Sequence, residues 1–388
     1  MDVQKKRLAG LLAAAILMLT ILSACANNPE EPPPVSLPEP VVEQANEAPS
    51  AAEEANTPDE ETPAVLNPLT GLAVQDPQIL DRRPVMVKVS NFPRNGRPHA
   101  GLSFADIVFD YYIGFGTNRF LALYYGQDTP EIWPLRSGRR VDAQLSTMYS
   151  GVLGYGSADA DTDAVLAGAL GNYAISYLEA ECPVFCGEET HDAIGVYANS
   201  AEITRFVDAQ GWENGKPDLH GMEFSEAPQD GTQKADQVTI LFNAYNRAEW
   251  RFDNASGKYL RWIEHVPDEY AEPLEWEMVP LVDKVTGDQL AFSNVVVIFA
   301  PYTELAPSAH EIAIWGNKNG LPAYLFRDGG MTAGEWVTAN DSDPMQFINP
   351  NGTPMAFKPG NTWIAIMGLS SSFRETQPGN WETFFFLP

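Results

Sequence analysis

The chain has 388 residues, with 24 basic and 52 acidic side chains and a formal net charge of -28. Apolar residues make up 44% and aromatic residues 11%, which is enough to bury a large core and excludes a fully disordered protein. The acidic balance also excludes nucleic-acid binding through bulk charge, because a phosphate backbone requires a basic face. The length exceeds one ordinary domain and fits two.

Residues 1–24 have the pattern of a bacterial lipoprotein signal peptide. A basic start, Lys5-Lys6-Arg7, precedes an uncharged apolar run at 8–22, which is shorter than the roughly 20 residues that span a bilayer. The next residues, Leu22-Ser23-Ala24-Cys25, resemble a lipobox. The pattern predicts lipidation of Cys25 and attachment to the extracytoplasmic face of the cell membrane. The alternative is an ordinary secretory signal in which the cysteine is incidental.

Positions 25–65 predict a lipidated cysteine followed by a disordered tether. Residues 26–65 contain nine Pro and ten Asp or Glu but no Lys or Arg, so they have little to bury and repel one another. A flexible coil of this length reaches about 35 Å. The remaining chain has 41 acidic and 21 basic residues, a net charge of -20. This acidity disfavours close contact with anionic lipid or wall polymer.

Strand and helix patterns alternate between residues 66 and 221. Alternating apolar residues predict strands at 84–90 and 119–125, and helical periodicity predicts helices at 141–149, 162–170 and 199–210. Ser200 is the expected N-cap of the last helix, and Asp161 or Thr162 is that of the helix before it. The mixed order predicts an N-terminal α/β domain over 66–221.

Beyond a polar stretch at 221–235, the pattern changes to short strands separated by turn residues. Strands are predicted at 237–244, 248–252, 259–263, 295–299, 311–315 and 362–367. Asn351-Gly352 predicts a hairpin between 345–348 and 354–357. We therefore expect an α+β fold in which a disordered tether precedes a mixed α/β domain and a mainly β C-terminal domain over 236–388.

Several motifs together resemble those of the YerB-like bacterial lipoproteins, a family of unknown function designated DUF3048. The motifs are Asn67-Pro68-Leu69-Thr70-Gly71, Ala105-Asp106-Ile107-Val108, Arg119-Phe120-Leu121-Ala122, Pro134-Leu135-Arg136-Ser137-Gly138-Arg139 and Pro359-Gly360-Asn361-Thr362-Trp363-Ile364. The chain departs from the family pattern in two places. Gly114–Asn118 lacks the acid of a Glu-Gly-Gly run, and Thr190-His191-Asp192 replaces Pro-His-Asn. The resemblance implies the fold and the cellular location, but it brings no established reaction.

Arg119, Arg136, Ser137 and Arg139 form a candidate anion-binding site. Arginine side chains bind carboxylate or phosphate through two parallel hydrogen bonds, and Gly138 lets backbone N–H groups approach an anion. The alternative is that these arginines form internal ion pairs with nearby carboxylates such as Asp106, Asp110 and Asp142. Arg119 lies within an apolar strand pattern and requires a partner, because a lone buried charge is costly.

His191, Asp106 and Asp110 are the candidates for proton transfer. Imidazole titrates near neutral pH, and a nearby carboxylate can orient it or exchange protons itself. The alternative for His191 is an ordinary surface residue on a loop.

Cys182 and Cys186 lie four positions apart in a compartment expected to be oxidising. A disulfide between them is predicted, and it would close a loop worth about 2 kcal/mol. Free thiols, or a zinc site that includes His191, are the alternatives. No metal or other cofactor is predicted.

The sequence favours a membrane-anchored binding or accessory module of the cell envelope, without catalysis of its own. The expected partners are the membrane, through Cys25, and cell-wall proteins or wall polymer; nucleic acid is not expected. The competing hypothesis is an envelope hydrolase or transferase, in which Arg136 and Arg139 hold an anionic group and His191 moves protons with an aspartate. A third hypothesis, capture of a small solute, predicts a deep aromatic-lined cavity between two domains.

Overall fold

A computed structural model describes residues 64–188, 190, 193–266 and 277–387. All of these residues belong to one compact unit. The predicted signal peptide at 1–24, the lipidation site Cys25 and most of the predicted tether lie outside the described residues, as does His191.

The first half of the described chain alternates short strands with three α-helices. The strands are β1 (Val85–Ser90), β2 (Ile107–Gly114), β3 (Thr117–Tyr124), β4 (Val152–Tyr155), β5 (Ala174–Ser176), β6 (Phe185–Gly187) and β7 (Val196–Ala198). The helices are α1 (Arg140–Met148), α2 (Ala160–Leu170) and α3 (Ser200–Ala209). Each helix begins and ends within two residues of its predicted bounds.

The second half of the described chain consists of strands. They are β8 (Glu223–Phe224), β9 (Gln233–Lys234), β10 (Gln237–Asn243), β11 (Asn246–Asp253), β12 (Lys258–His265), β13 (Glu277–Pro280), β14 (Ala291–Phe292), β15 (Asn294–Ala300) and β16 (Tyr302–Ala306). They continue with β17 (Ala309–Ile312), β18 (Leu321–Arg327), β19 (Gly330–Val337), β20 (Gln346–Ile348), β21 (Ala356–Phe357), β22 (Thr362–Gly368), β23 (Ser372–Gln377) and β24 (Asn380–Phe384). The fold is therefore broadly α+β and mainly β.

An eleven-stranded central sheet joins the two halves of the sequence. Its order is β20-β19-β18-β15-β22-β2-β3-β1-β4-β5, with β9 paired to β19. The central strands β2, β22 and β15 are parallel, in a register that sets Ile107 beside Thr362 and Tyr111 beside Ile366. The predicted domain boundaries at 66–221 and 236–388 stay a prediction, since both stretches contribute strands to this one sheet.

A second, seven-stranded sheet packs on one face of the central sheet. Its order is β13-β12-β11-β10-β24-β23, with β14 paired to β12. The buried Trp363 of β22 lies between the two sheets, with its ring centroid 4.9 Å from Phe120, 5.1 Å from Trp250 and 5.4 Å from Phe292. Large aromatic side chains from both halves of the chain therefore fill the interface between the two sheets.

The opposite face of the central sheet is covered by α1 and α2. Phe109, Leu121 and Ile364 of the sheet belong to one buried cluster with Leu145 of α1 and Leu166 of α2. Successive residues of a strand point to opposite faces. Neighbours along β2 and β3 therefore contact either the helices or the second sheet, and this alternation separates the candidate site residues.

Both predicted helix caps were wrong by a short distance. The α2 helix is capped by Asp159, whose carboxylate accepts hydrogen bonds from Thr162 N at 3.0 Å and Thr162 Oγ1 at 2.8 Å. The α3 helix is capped by Asn199, whose side-chain oxygen accepts from Glu202 N at 3.2 Å. The hydroxyl of Ser200 instead donates to Asp128 at 2.7 Å.

The hairpin predicted at Asn351-Gly352 is present as a short antiparallel connection, and both of its segments also pair with other strands. The local turn forms, with Asn349 N donating to Thr353 O at 2.7 Å. The flanking segments meet at the antiparallel bridge between Ile348 and Pro354, where Met355 N donates to Phe347 O at 2.9 Å. In addition, β20 pairs with β19 and β21 pairs with β8. Strands this short also pair with the strands that the tertiary fold places beside them.

Candidate functional site

The predicted arginines come together on the helix-covered face of the central sheet. Arg119 of β3 lies directly opposite Tyr111 of β2, and Lys88 of β1 lies opposite Leu121. Arg139 directly precedes α1, so the start of this helix closes over the three strands.

Asp142, in the first turn of α1, lies at the centre of the cluster. Its carboxylate accepts hydrogen bonds from Lys88 Nζ at 3.2 Å, from the Tyr111 hydroxyl, and from Arg139 N at 2.6 Å. The side chains of Lys88 and Asp142 are both completely buried. We call this group, with Arg119 and Arg136, the arginine cluster. Buried charged groups of this kind are stable only when they form ion pairs or hydrogen bonds with one another.

The arginines of the cluster donate to backbone carbonyls. Arg119 Nη1 lies 2.7 Å from Ser137 O, and Arg139 Nη1 lies 2.8 Å from Gly138 O. Arg136 Nη1 lies 3.5 Å from Ala193 O. A carbonyl satisfies an N–H group without neutralising the cation, so these bonds leave the positive charge of the guanidinium groups in place.

Burial and mutual repulsion shift the pKa values of the cluster. Burial lowers the pKa of Arg119 well below its ordinary value, and the charges of Arg139 and Arg136 lower it further. Burial also lowers the pKa of Lys88 to about 7, although the Asp142 carboxylate raises it. The site therefore holds a lysine that titrates near neutral pH.

Asp106, a predicted proton-transfer residue, is held in a structural network at the start of β2. Its carboxylate accepts from Asn67 Nδ2 at 2.8 Å, Tyr125 N at 2.5 Å and Gly126 N at 3.1 Å. Burial raises the pKa of Asp106 to about 6, while these hydrogen bonds lower it. The network ties the segment before β1 to the amino end of β2.

Asp110, the other predicted aspartate, lies on the face opposite the arginines. Its strand neighbour Tyr111 contacts the cluster, whereas Asp110 accepts hydrogen bonds from Asn118 and, at 3.3 Å, from Trp363 Nε1. Arg261 Nη2 lies 3.6 Å away on the second sheet. Burial raises the pKa of Asp110 to about 6. The sheet therefore separates this carboxylate from Arg119.

Cys182 and Cys186 form a disulfide in the structure, with their Cα atoms 4.6 Å apart.

Among the residues that the structure describes, no three His, Cys, Asp or Glu side chains are grouped in a way that could hold a metal ion. In the same part of the chain, no helix has the length and apolarity needed to cross a membrane.

A cavity of about 500 Å³ lies beside Asp106. Asn67 and Thr70 from the segment before β1, Lys258 of β12 and Asn361 before β22 contribute to its wall. Its described lining contains no aromatic side chain. It therefore differs from the aromatic-lined cavity that the solute-capture hypothesis requires.

Sequence reasoning missed Lys88 and Tyr111 as members of the cluster. Lys88 is the one charged residue in the predicted strand at 84–90, and a single lysine among buried apolar residues signals a partner inside the fold. Tyr111 gives no such signal, because a tyrosine in a strand is ordinary core composition.

Two family models match the chain. One is the N-terminal domain of the "Protein of unknown function (DUF3048)", over residues 69–213, and the other is the C-terminal domain of the same family, over residues 238–364. The chain belongs to the DUF3048 family. The resemblance seen in the sequence motifs is thereby confirmed.

YerB, a lipoprotein candidate of Bacillus subtilis (strain 168), is 24% identical to this DUF3048 protein over 310 residues. The match covers 77% of this chain and 85% of YerB. The crystal structure of YerB from Bacillus subtilis matches with a TM-score of 0.63 at 23% identity, covering 78% of this chain and 96% of that chain. At this identity the match shows a shared fold.

Proposed function

We propose that this DUF3048 protein is a lipid-anchored, extracytoplasmic binding module of the bacterial cell envelope. The lipobox at Cys25, the acidic tether and the likeness to YerB support the anchor. The module acts by docking onto an envelope protein, with catalysis playing no part. The observation that carries this proposal is a group of exposed apolar side chains at one end of the central sheet.

This apolar end consists of five large side chains that remain in solvent. They follow the carboxyl ends of the parallel strands β2, β15 and β22, or belong to the last residues of the described chain: Phe115 (67% exposed), Leu305 (54%), Leu369 (51%), Phe384 (38%) and Phe386 (56%). Soluble domains rarely expose contiguous apolar patches of this kind unless they bind something.

Contacts between neighbouring segments bring the segments of the apolar end together. Gly114, beside Phe115, lies against Pro307 of the β16–β17 turn. The Phe385 ring stacks on Tyr112 with centroids 4.3 Å apart, and Phe386 N donates to Ser371 at 3.0 Å. These packed segments hold the exposed side chains in place, so a partner would meet a preformed surface.

The apolar end faces away from the point where the described chain begins. Asn67 is bonded to Asp106 at the amino end of β2, whereas Phe115 follows the carboxyl end of the same strand. An eight-residue strand is about 26 Å long. The described chain therefore begins at one end of β2, and the apolar end lies at the other end of the same strand.

Charge also indicates the kind of partner. The segments 112–117, 302–308, 369–373 and 383–387 contain one charged residue, Glu304, in a folded chain of net charge -20. A nearly uncharged apolar surface fits an apolar patch on another protein better than it fits a wall polymer or an anionic bilayer.

The alternative, an envelope hydrolase or transferase, is disfavoured by the positions of the candidate acids. Asp106 holds three hydrogen bonds at the amino end of β2, and Asp110 lies across the sheet from Arg119. A general acid or base must reach the same reacting group as the anion-holding side chains. Neither aspartate meets that condition.

The anchor is tested by mass spectrometry of the native protein. We expect a mature chain that begins at Cys25 and carries diacylglycerol, and we expect Cys25→Ser to abolish the acyl mass. A native chain that retains residues 1–24 would contradict the anchor.

The docking surface is tested by photo-crosslinking in intact cells. With benzoylphenylalanine in place of Phe115 or Leu305, we expect one crosslinked protein species that is absent when Leu72, 48% exposed near the start of the described chain, is replaced. Leu305→Ser in the Phe115-labelled protein should reduce that product about tenfold, and Leu72→Ser should not. Crosslinks to lipid alone, or to a second copy of this chain, would overturn the proposal.

A further inference from the structure

His310 lies on the β16–β17 hairpin, which carries one side of the apolar end. In the antiparallel register of the hairpin, His310 is directly opposite Glu304, and Leu305 is the next residue of β16. Leu305 is 54% exposed, whereas the side chain of His310 is 2% exposed. The hairpin therefore presents an apolar side chain to solvent and holds a titratable ring inside the protein.

Aromatic rings from three segments surround the imidazole of His310. Tyr112 of β2 lies edge-on to it with ring centroids 5.1 Å apart, and Tyr302 of β16 lies at 6.5 Å. Phe385, near the end of the chain, contacts both tyrosines, with centroid distances of 4.3 and 5.0 Å. The packing around His310 therefore joins the hairpin to β2 and to the last segment of the described chain.

The two ends of the hairpin are attached in different ways. At its base, Glu311 forms an ion pair with Arg140 of α1 at 2.5 Å. Toward its tip, Pro307 lies beside Gly114 of β2, and the His310 ring packs on the same strand. The base is therefore bonded to α1, whereas the tip rests on β2 through packing in which His310 takes part.

The environment of His310 favours the neutral imidazole. Among the described residues, no group completes a hydrogen bond of ordinary length and angle to either ring nitrogen. Burial lowers the pKa of His310 and the charge of Arg139 lowers it further, while Glu304 and the backbone at Ile113 raise it. The net effect is a lowered pKa, so protonation of the ring destabilises the packed hairpin.

Charged and titratable side chains face His310 from each element packed against it. Glu304 and Tyr302 belong to β16, Tyr112 belongs to β2, and Arg139 precedes α1. Tyr302 stays neutral, because burial raises its pKa well above the ordinary value. The Glu304 carboxylate lies 3.6 Å from His310 Nε2, but its side chain is 55% exposed, so solvent screens its attraction for a protonated ring.

We propose that His310 is a pH-sensitive switch that determines whether the β16–β17 hairpin stays packed on β2. The inference rests on the proposed docking function, because it assigns a regulation to the apolar end. With a neutral imidazole the hairpin is packed as in the structure. When the ring takes up a proton, the buried charge is poorly solvated, the ring moves into water, and the tip of the hairpin separates from β2. Leu305 then leaves the side of Phe115, and docking weakens in acid.

The direction of the switch follows from proton linkage. In the open hairpin His310 is in water and has the ordinary histidine pKa of 6.5, whereas in the packed hairpin its pKa is lower. Between these two values the open form binds more protons than the packed form, so acid favours opening. A change from pH 7 to pH 5 should increase the opening constant about tenfold.

Hydrogen–deuterium exchange of the full mature chain tests the switch. Protection of the amides at 302–312 is measured at pH 7 and pH 5, each relative to the exchange rate of an unstructured peptide at the same pH. We expect this protection to fall about tenfold at pH 5, because the hairpin opens more often. Protection at 237–253, in the second sheet, should stay constant and shows that the fold as a whole is intact.

His310→Phe separates titration from packing. Phenylalanine keeps an aromatic ring between Tyr112 and Tyr302 but binds no proton, so the hairpin should keep its protection at pH 5. The matched control is His220→Phe, at an exposed histidine that lies 3.0 Å from Asp218. This variant should show the same tenfold fall as the natural chain. Circular dichroism at pH 7 establishes that both variants are folded.

Photo-crosslinking connects the switch to docking. With benzoylphenylalanine in place of Phe115, cells at pH 5 should give about tenfold less crosslinked product than cells at pH 7, and His310→Phe should restore the product. Product that is independent of pH, although the hairpin opens, would show that opening does not regulate docking.

Two exchange results would show that His310 is not the switch: equal protection of 302–312 at both pH values, or the same fall in His310→Phe. These measurements need neither acylation nor a partner. If the docking function fails instead, the crosslinked product is missing at both pH values while the pH dependence of exchange remains. The two failures are therefore distinguishable.

Discussion

Lys88 is a buried cation whose charge depends on its neighbours. It lies on β1 with its ammonium group against Asp142 and Tyr111, and none of its side chain reaches solvent. Desolvation disfavours the charged form, and the nearby guanidinium groups act in the same direction. The carboxylate of Asp142 offsets only part of this decrease in the pKa of Lys88. Because the pKa of Lys88 then differs between the folded and the unfolded chain, the stability of the fold depends on pH.

Stability should rise with pH between about 7 and 10 because of Lys88. The ordinary pKa of lysine is 10.5 and the folded value is about 7, so in this window the unfolded chain binds a proton that the folded chain releases. The free energy of unfolding then increases by up to about 1.4 kcal/mol per pH unit. Urea unfolding at pH 7, 8 and 9 measures the slope, which Lys88→Met should reduce.

The control for this slope is Lys318→Met, at an exposed position of the described chain. It should leave the pH dependence as in the natural chain. An unchanged slope in Lys88→Met would show that Lys88 keeps its proton in the folded state. Measurements stay below pH 10 because Tyr111, whose pKa is raised, acts in the opposite direction above it.

The sequence predicts single residues of the site better than their partners. Arg119, Arg136, Ser137 and Arg139 were grouped by spacing along the chain, and they are neighbours in the structure. Asp110 was grouped with them as a nearby carboxylate, but strand alternation places it on the other face. Sequence distance cannot show this, because the face of each residue depends on the register of β2 and β3.

The residue that caps a helix also depends on tertiary contacts that the sequence does not show. Asn199 and Ser200 are both good N-caps, and adjacent candidates cannot be separated by propensity alone. The hydroxyl of Ser200 bonds to Asp128, which leaves Asn199 to cap α3. The tertiary partner therefore decides which residue is the cap.

Asp159→Ala should destabilise the fold by about 1 kcal/mol, because it removes the acceptor for Thr162 N at the start of α2. Asp161→Ala, two residues further along the chain, keeps that hydrogen bond and should cost less than about 0.5 kcal/mol. Thermal unfolding of the two variants measures the difference. The hydrogen bonds to Thr162 lower the pKa of Asp159, so the benefit of the cap should fade as pH drops below the ordinary range of aspartate. Equal losses in both variants would contradict this assignment.

Strands were easier to predict than their order. Alternation located β1, β3, β10 and β22 nearly to the residue, because apolar periodicity is local information. The pairing of β2 with β22 joins residues such as Ile107 and Thr362, which are far apart in the sequence. No local pattern specifies such a parallel pair, and the division of the chain into two domains was expected for that reason.

The shared central sheet makes the whole molecule depend on both halves. Removing the second half leaves β2 without β22, and removing the first half leaves β22 with only β15 beside it. Trp363 would lose Phe120 on one side and keep Trp250 on the other. An exposed central strand with an apolar face is unstable and prone to aggregate.

We therefore expect fragments 66–221 and 236–388 not to fold separately, although they correspond to the two predicted domains. The full chain should unfold in one calorimetric transition, because the two halves share their sheet and their aromatic core. Trp363→Ala should lower the free energy of unfolding by about 3–5 kcal/mol and shift that single transition without splitting it. Mixing the two fragments should restore part of the native circular dichroism, which provides the positive control. Two separate transitions in the full chain, or cooperative unfolding of either fragment alone, would show that the halves are independent domains joined edge to edge.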